Sequence, residues 1–111
     1  MGMVRPSPSR YEIWLVTLDP VQGSEIAKTR PCVIISPDDL NSRLNTVIIV
    51  PLTSAQKPYP MRLNIKFAGR DGQLALDHLR SVDRSRLVKK TGTLAKEYHT
   101  PLSNLLVEYL A

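Results

Sequence analysis

Thr46-Val47-Ile48-Ile49-Val50-Pro51-Leu52, closed by Thr53-Ser54, is the stretch from which the fold is read. β-Branched apolar residues follow one another, which marks a buried strand. A second such run, Pro31-Cys32-Val33-Ile34-Ile35-Ser36, is entered through Gly23-Ser24-Glu25-Ile26-Ala27-Lys28-Thr29-Arg30. An arginine at the mouth of one strand and a hydroxyl at the exit of the next can meet at one end of a small sheet. Such a pair suits a phosphate. The guanidinium is a permanently charged planar fork that matches phosphate oxygens, and threonine adds a short hydrogen bond without adding charge.

Outward from these runs, Tyr11–Leu18 reads as a largely buried first strand, ended by Asp19-Pro20. Ser36-Pro37-Asp38-Asp39 starts a short helix, with serine able to cap and the aspartates opposing the helix dipole. Ser54–Pro60 is a loop. Met61–Phe67 alternates, with Arg62, Asn64 and Lys66 on the outer face. Gly69-Arg70-Asp71-Gly72 predicts a turn on its Asp-Gly pair, and Gln73–Leu76 pairs back. Arg84–Lys90 is extended and stops at Gly92. The spacing of Tyr98, Leu102, Leu105, Leu106 and Tyr109 predicts a C-terminal helix starting at Thr100-Pro101. Five or six strands with these helices predict a mainly β protein, a small curled antiparallel barrel with helices at its edge. Residues 1–9 read as a flexible arm and 10–111 as a single domain.

The length, 111 residues, fits one domain. The net charge of +5 favours polyanionic partners. Arg80, Arg84, Arg86, Lys89 and Lys90 cluster, either as a solvated face or as a nucleic-acid contact face. The single Cys32 can form no internal disulfide, which fits a reducing compartment, and its apolar strand makes it a small core residue. The N-terminus lacks the apolar segment of a signal peptide, and no apolar run is long enough to span a membrane. A cytoplasmic protein is expected.

Several chemistries are disfavoured. His78 and His99 have no second ligand at helical spacing, so no metal or other cofactor is expected. Cys32 has no helix N-terminus behind it to activate the thiol. There is no phosphate-binding lysine loop and no dinucleotide fingerprint. Asp77-His78 is an acid–base pair in name, but neighbours on a strand point to opposite faces, which favours an ordinary hydrogen-bonding histidine.

Asp19-Pro20, Gly23-Ser24-Glu25, Arg30-Pro31, Val50-Pro51-Leu52-Thr53-Ser54, Tyr59-Pro60, Arg70-Asp71-Gly72, Val82-Asp83-Arg84-Ser85-Arg86-Leu87 and Lys90-Thr91-Gly92 together resemble, in order, the MazF/PemK (Kid) toxin family. The resemblance implies an SH3-like barrel and a homodimeric toxin of a bacterial type II toxin–antitoxin system. It implies metal-independent, sequence-specific cleavage of single-stranded RNA to 2′,3′-cyclic phosphate and 5′-hydroxyl ends, which would inhibit translation and growth. It carries catalytic roles to Arg30, Thr53 and Glu25, and an antitoxin partner with an acidic, partly disordered segment. RNA would lie along the dimer groove, held by the loops 20–30 and 54–61. Ser24, Lys28, Ser54, Gln56, Lys57, Tyr59, Arg84 and Arg86 are then candidates for RNA contact. The chain departs from the family where a glycine often precedes Arg-Pro, since it has Lys28-Thr29 there. Two rival readings are a CcdB-like gyrase poison and a non-catalytic RNA-binding barrel. The first resembles proteins with a tryptophan-bearing tail, whereas this chain ends Glu108-Tyr109-Leu110-Ala111.

Overall fold

The computed structural model describes residues 7–20, 22, 23, 26 and 28–111. Among them run β1 (Glu12–Thr17), β2 (Thr29–Ile34), α1 (Asp38–Asn41), β3 (Thr46–Thr53), β4 (Arg62–Phe67), β5 (Arg70–Ala75), β6 (Arg80–Asp83), β7 (Leu87–Thr93) and α2 (His99–Leu110). Single 3-10 turns occupy Leu76–His78, Arg84–Arg86 and Lys96–Tyr98. The strands form one antiparallel sheet in the order β4-β5-β3-β2-β1-β7, with β6 also on β3. β3 is the hub. One edge meets β6 through its first half (Thr46↔Asp83) and β5 through its last residues (Leu52↔Leu74, Thr53↔Gln73), while the other edge meets β2 (Cys32↔Pro51).

The ladder is not closed, and β4 and β7 are its ends. They meet through a side chain instead. The Phe67 ring lies over Gly92, where a Cβ would sit 2.9 Å from the ring. The fold is thus a curled sheet with helices, of the expected mainly β class, without the ring of hydrogen bonds a closed barrel has. The alternating strands bury two clusters. Ile13, Val33, Val50, Leu52, Ile65 and Leu74 pack with Leu102 and Leu106 of α2. Val16, Cys32, Ile34, Val47, Ile49 and Val82 form the second. Each such Ile or Leu contributes about 2 kcal/mol by leaving water.

Several local expectations change. Ser36 does not cap α1; Pro37 occupies the N-cap. The buried Ser36 hydroxyl donates to Asn41 Oδ1 and accepts the Ile48 N–H, tying α1 to β3. β7 runs through Gly92 to Thr93, because the Phe67 ring covers the bare glycine. β6 was hidden by its charged residues, and Arg84–Arg86 is a turn rather than strand. α2 begins at His99 and keeps Pro101 in its first turn, where amide protons have no helical partner to lose. Tyr109, expected on the apolar face, is exposed. Of the expected arm, Pro8 is buried and the Ser9 N–H donates to Glu12 Oε1 at 2.9 Å; residues 1–6 lie outside the described residues. Among the described residues no helix is long and apolar enough to cross a membrane.

Candidate functional site

The β2–β3 register, extended two residues along each strand from Cys32↔Pro51, sets Arg30 opposite Thr53. Directly opposed residues share a face of the sheet. Thr53 is in turn the partner of Gln73, and Gln73 of Asn64. Arg30, Thr53, Gln73 and Asn64 therefore form one polar row across four strands. Arg30 and Thr53 line a cleft of about 540 Å³, with Pro31, Ser54, Arg70 and Asp71. Thr53 Oγ1 accepts the Ala55 N–H at 3.1 Å, which turns the chain into the following loop and leaves the hydroxyl proton to donate elsewhere.

Arg70 was missed in the sequence because the Asp71-Gly72 turn signal masked it. The turn lies three residues earlier, at Ala68 and Gly69, both with positive φ (52° and 76°), and β5 starts at Arg70. Both positive angles suit the tight hairpin that a right-twisted ribbon prefers. The earlier turn puts Arg70 on the strand that floors the cleft. Gly72 lies beside it; a Cβ there would come 2.9 Å from Leu52 Cδ1.

The loop leading to Arg30 is laced at its base. Leu18 N–H donates to the Lys28 carbonyl at 2.9 Å, and Lys28 N–H to Asp19 Oδ1 at 3.0 Å. Lys28 itself holds φ 68°, the left-handed region that favours glycine. Arg86 donates to the Thr17 and Asp19 carbonyls, and Arg84 to the Asn41 carbonyl. Arg80 reaches the Leu18 carbonyl at 3.2 Å, and Lys90 pairs with Glu12 at 3.1 Å. Arg80, Arg84, Arg86 and Lys90 thus each hold a backbone carbonyl or Glu12 through part of their donor set. Ser24 and Glu25 lie outside the described residues.

On the far side of Thr53, Gln56 lines a second cleft of about 410 Å³ with Asn64, Lys66, Asp71, Gly72 and Tyr98. Asp71 and Gly72 line both clefts. Lys57 and Tyr59 stand on the exposed loop between β3 and β4, and the Arg62 guanidinium lies 5.1 Å from the Tyr59 ring centre. Arg62 was expected to face solvent, yet its side chain is only 6% exposed. It donates from Nε and Nη2 to the two oxygens of Asp77, at 2.7 and 3.0 Å. That fork holds the Asp77 carboxyl below the usual carboxylate range. Asp77 and His78 do meet, at 3.6 Å, because they sit on a 3-10 turn and not on a strand. Burial pushes the Cys32 thiol up to about 12, so at neutral pH it is a protonated core residue.

The family model for the PemK-like, MazF-like toxin of type II toxin–antitoxin systems matches residues 9–110. The chain belongs to the PemK/MazF toxin family. The endoribonuclease toxin MazF of Escherichia coli (strain K12) is 38% identical over 86 residues, 77% of each chain. MazF from Deinococcus radiodurans has the same fold, with a TM-score of 0.83 and 25% identity over 94% of this chain and 96% of that one. A mycobacterial endoribonuclease in complex with its cognate antitoxin superposes with a TM-score of 0.79 at 17% identity, covering 94% of this chain and 95% of that one. The blocks around Arg30-Pro31 and Pro51-Leu52-Thr53 carried that family assignment in the sequence.

Proposed function

We propose that this PemK/MazF toxin is a sequence-specific, metal-independent endoribonuclease acting on single-stranded RNA, with Arg30 and Thr53 at the scissile phosphate. The observation that carries this reading is the shared cleft of Arg30, Thr53 and Arg70. In the reaction the ribose 2′-oxygen bonds to phosphorus and gives up its proton, while the phosphorus–O5′ bond breaks and O5′ gains a proton. The products are a 2′,3′-cyclic phosphate and a 5′-hydroxyl. Negative charge grows on the non-bridging oxygens in the transition state. Arg30 offers a charged fork there, and the Thr53 hydroxyl a neutral donor, already oriented by the Ala55 N–H. Arg70 adds a second cation for the flanking phosphate. Glu25 is the candidate to assist proton removal or to order Arg30. Ser54, Gln56, Lys57 and Tyr59 extend the RNA path along the loop after β3, Tyr59 as a stacking surface. Lys28 and Ser24 extend it along the other loop.

The protein works as a homodimer neutralised by an acidic antitoxin segment. Family membership supports both partners. So do Val107 and Leu110, neighbours on α2 that expose 69% and 68% of their surface, and the net charge of +5.

The test is incubation of the purified protein with long single-stranded RNA in excess EDTA, followed by mapping of the product ends. Discrete cuts with 5′-hydroxyl ends are expected. RNA that binds but stays intact, across substrates covering all short sequences, would favour the non-catalytic barrel. Thr53→Val, which keeps the shape and removes the hydroxyl, should lower kcat about tenfold or more at unchanged melting temperature. A kcat within twofold of wild type would remove Thr53 from the transition state.

A further inference from the structure

Gln73 lies in the middle of the polar row, yet it is 3% exposed and lines neither cleft. All of its hydrogen-bonding capacity is used. Its Oε1 accepts the Lys57 N–H and Arg62 Nη1, both at 3.1 Å. Its Nε2 donates to the Lys57 carbonyl at 3.0 Å and to Asn64 Oδ1 at 2.9 Å. A flipped carboxamide would set its N–H groups against two donors, so only one orientation satisfies the set. The side chain thus does for Lys57 what a neighbouring strand would do, pairing both backbone groups of one residue.

Lys57 sits in the loop that leaves the sheet at Thr53 and returns at Arg62. At its start the loop is turned by the Thr53–Ala55 hydrogen bond. Its middle is held to the sheet by Gln73, and its far end by Arg62, which reaches the Tyr59 ring and is itself clamped by Asp77. Gln73 is also the cross-strand partner of Thr53. One carboxamide therefore links the residue at the scissile phosphate to the loop carrying Gln56, Lys57 and Tyr59.

We propose that Gln73 is a positioning residue of the ribonuclease, setting the distance and register between the Arg30–Thr53 pair and the loop 54–60 that reads the RNA. The inference rests on the ribonuclease reading given above. It places Gln73 in substrate affinity and base preference, not in the chemical step, because Arg30 and Thr53 are held by β2 and β3 without it.

The test compares wild type, Gln73→Glu and Gln73→Leu. Glutamate keeps the shape and the acceptor oxygen but cannot donate to Lys57; leucine removes both functions. On an RNA oligonucleotide bearing a mapped cut site, both variants should raise KM about tenfold with kcat within twofold. Mapped over a long RNA, their cut sites should show weaker base preference beside the scissile bond. In the protein without RNA, amide hydrogen exchange across residues 54–60 should quicken while β2 and β3 keep their protection. A folded variant with unchanged KM and unchanged exchange overturns the proposal, as does a loss confined to kcat. If Gln73→Leu fails to fold, Gln73→Glu decides alone, since it fills the same volume and gains a charge pair with Arg62. Should wild type leave RNA intact, the ribonuclease reading fails, while the exchange measurement still decides whether Gln73 holds the loop.

Discussion

Arg30→Ala should lower kcat/KM for RNA cleavage by about 100- to 1000-fold. The arginine is exposed at the entrance of β2, and the core begins two residues later at Cys32, so the folded protein should survive the change. The loss follows from what the group does. A preorganised cation at a developing phosphorane needs no rearrangement as charge appears. Arg30→Lys tests the geometry apart from the charge. A lysine supplies a point charge without the planar fork, and should recover only part of the rate. The measurement is single-turnover cleavage of an end-labelled oligonucleotide, with circular dichroism and size-exclusion profiles as the check on folding. Arg30→Ala retaining more than a third of wild-type activity would move the active site elsewhere.

Asp77→Ala should destabilise the protein by about 2 kcal/mol. Arg62 is almost wholly enclosed and Asp77 is 31% exposed. Removing the carboxylate strands a guanidinium that cannot reach water freely. The exposure of Asp77 puts the cost below that of a fully buried pair. The loss should appear as a lower urea midpoint at fixed protein concentration, and an unchanged midpoint would mean that water replaces the carboxylate. The pH dependence has a definite sign. Because Arg62 holds the folded-state carboxyl below its ordinary value, the pair contributes fully above the unfolded value of about 3.9. That contribution is lost as pH falls through the lower folded value. The stability gap between wild type and Asp77→Asn should therefore be constant from neutrality to about pH 5 and close below about pH 4.

The family and the mainly β class were legible because both rest on short-range pattern. The runs ending in Pro31-Cys32-Val33-Ile34 and Val50-Pro51-Leu52-Thr53 are rich in β-branched apolar residues that favour strands, and their spacing is distinctive. Pairing register is not short-range. That Thr53 faces Gln73, or that Arg62 turns inward to Asp77, depends on where the β4–β5 hairpin turns. There the sequence points to Asp71-Gly72, a stronger turn signal than Ala68-Gly69. Shifting that turn by three residues brings Arg70 to the cleft. The same blindness applies to Asp77 and His78, whose contact exists only because the chain leaves β5 through a 3-10 turn. Composition leaves the cluster of Arg80, Arg84, Arg86, Lys89 and Lys90 open between a solvated face and a nucleic-acid contact face. Composition cannot show that Arg86 is holding the carbonyls of Thr17 and Asp19.

Phe67 resting on Gly92 has a mechanical meaning. A hydrogen-bonded ladder resists parting at every rung, whereas a ring on bare backbone resists only through dispersion contacts that fade within an ångström. The line between β4 and β7 is therefore the part of the curled sheet that no ladder of backbone hydrogen bonds holds together. The same ring is one wall of the cleft that holds Arg30 and Thr53. A load that draws β7 away from β4 changes the width of that cleft from behind, without touching either residue.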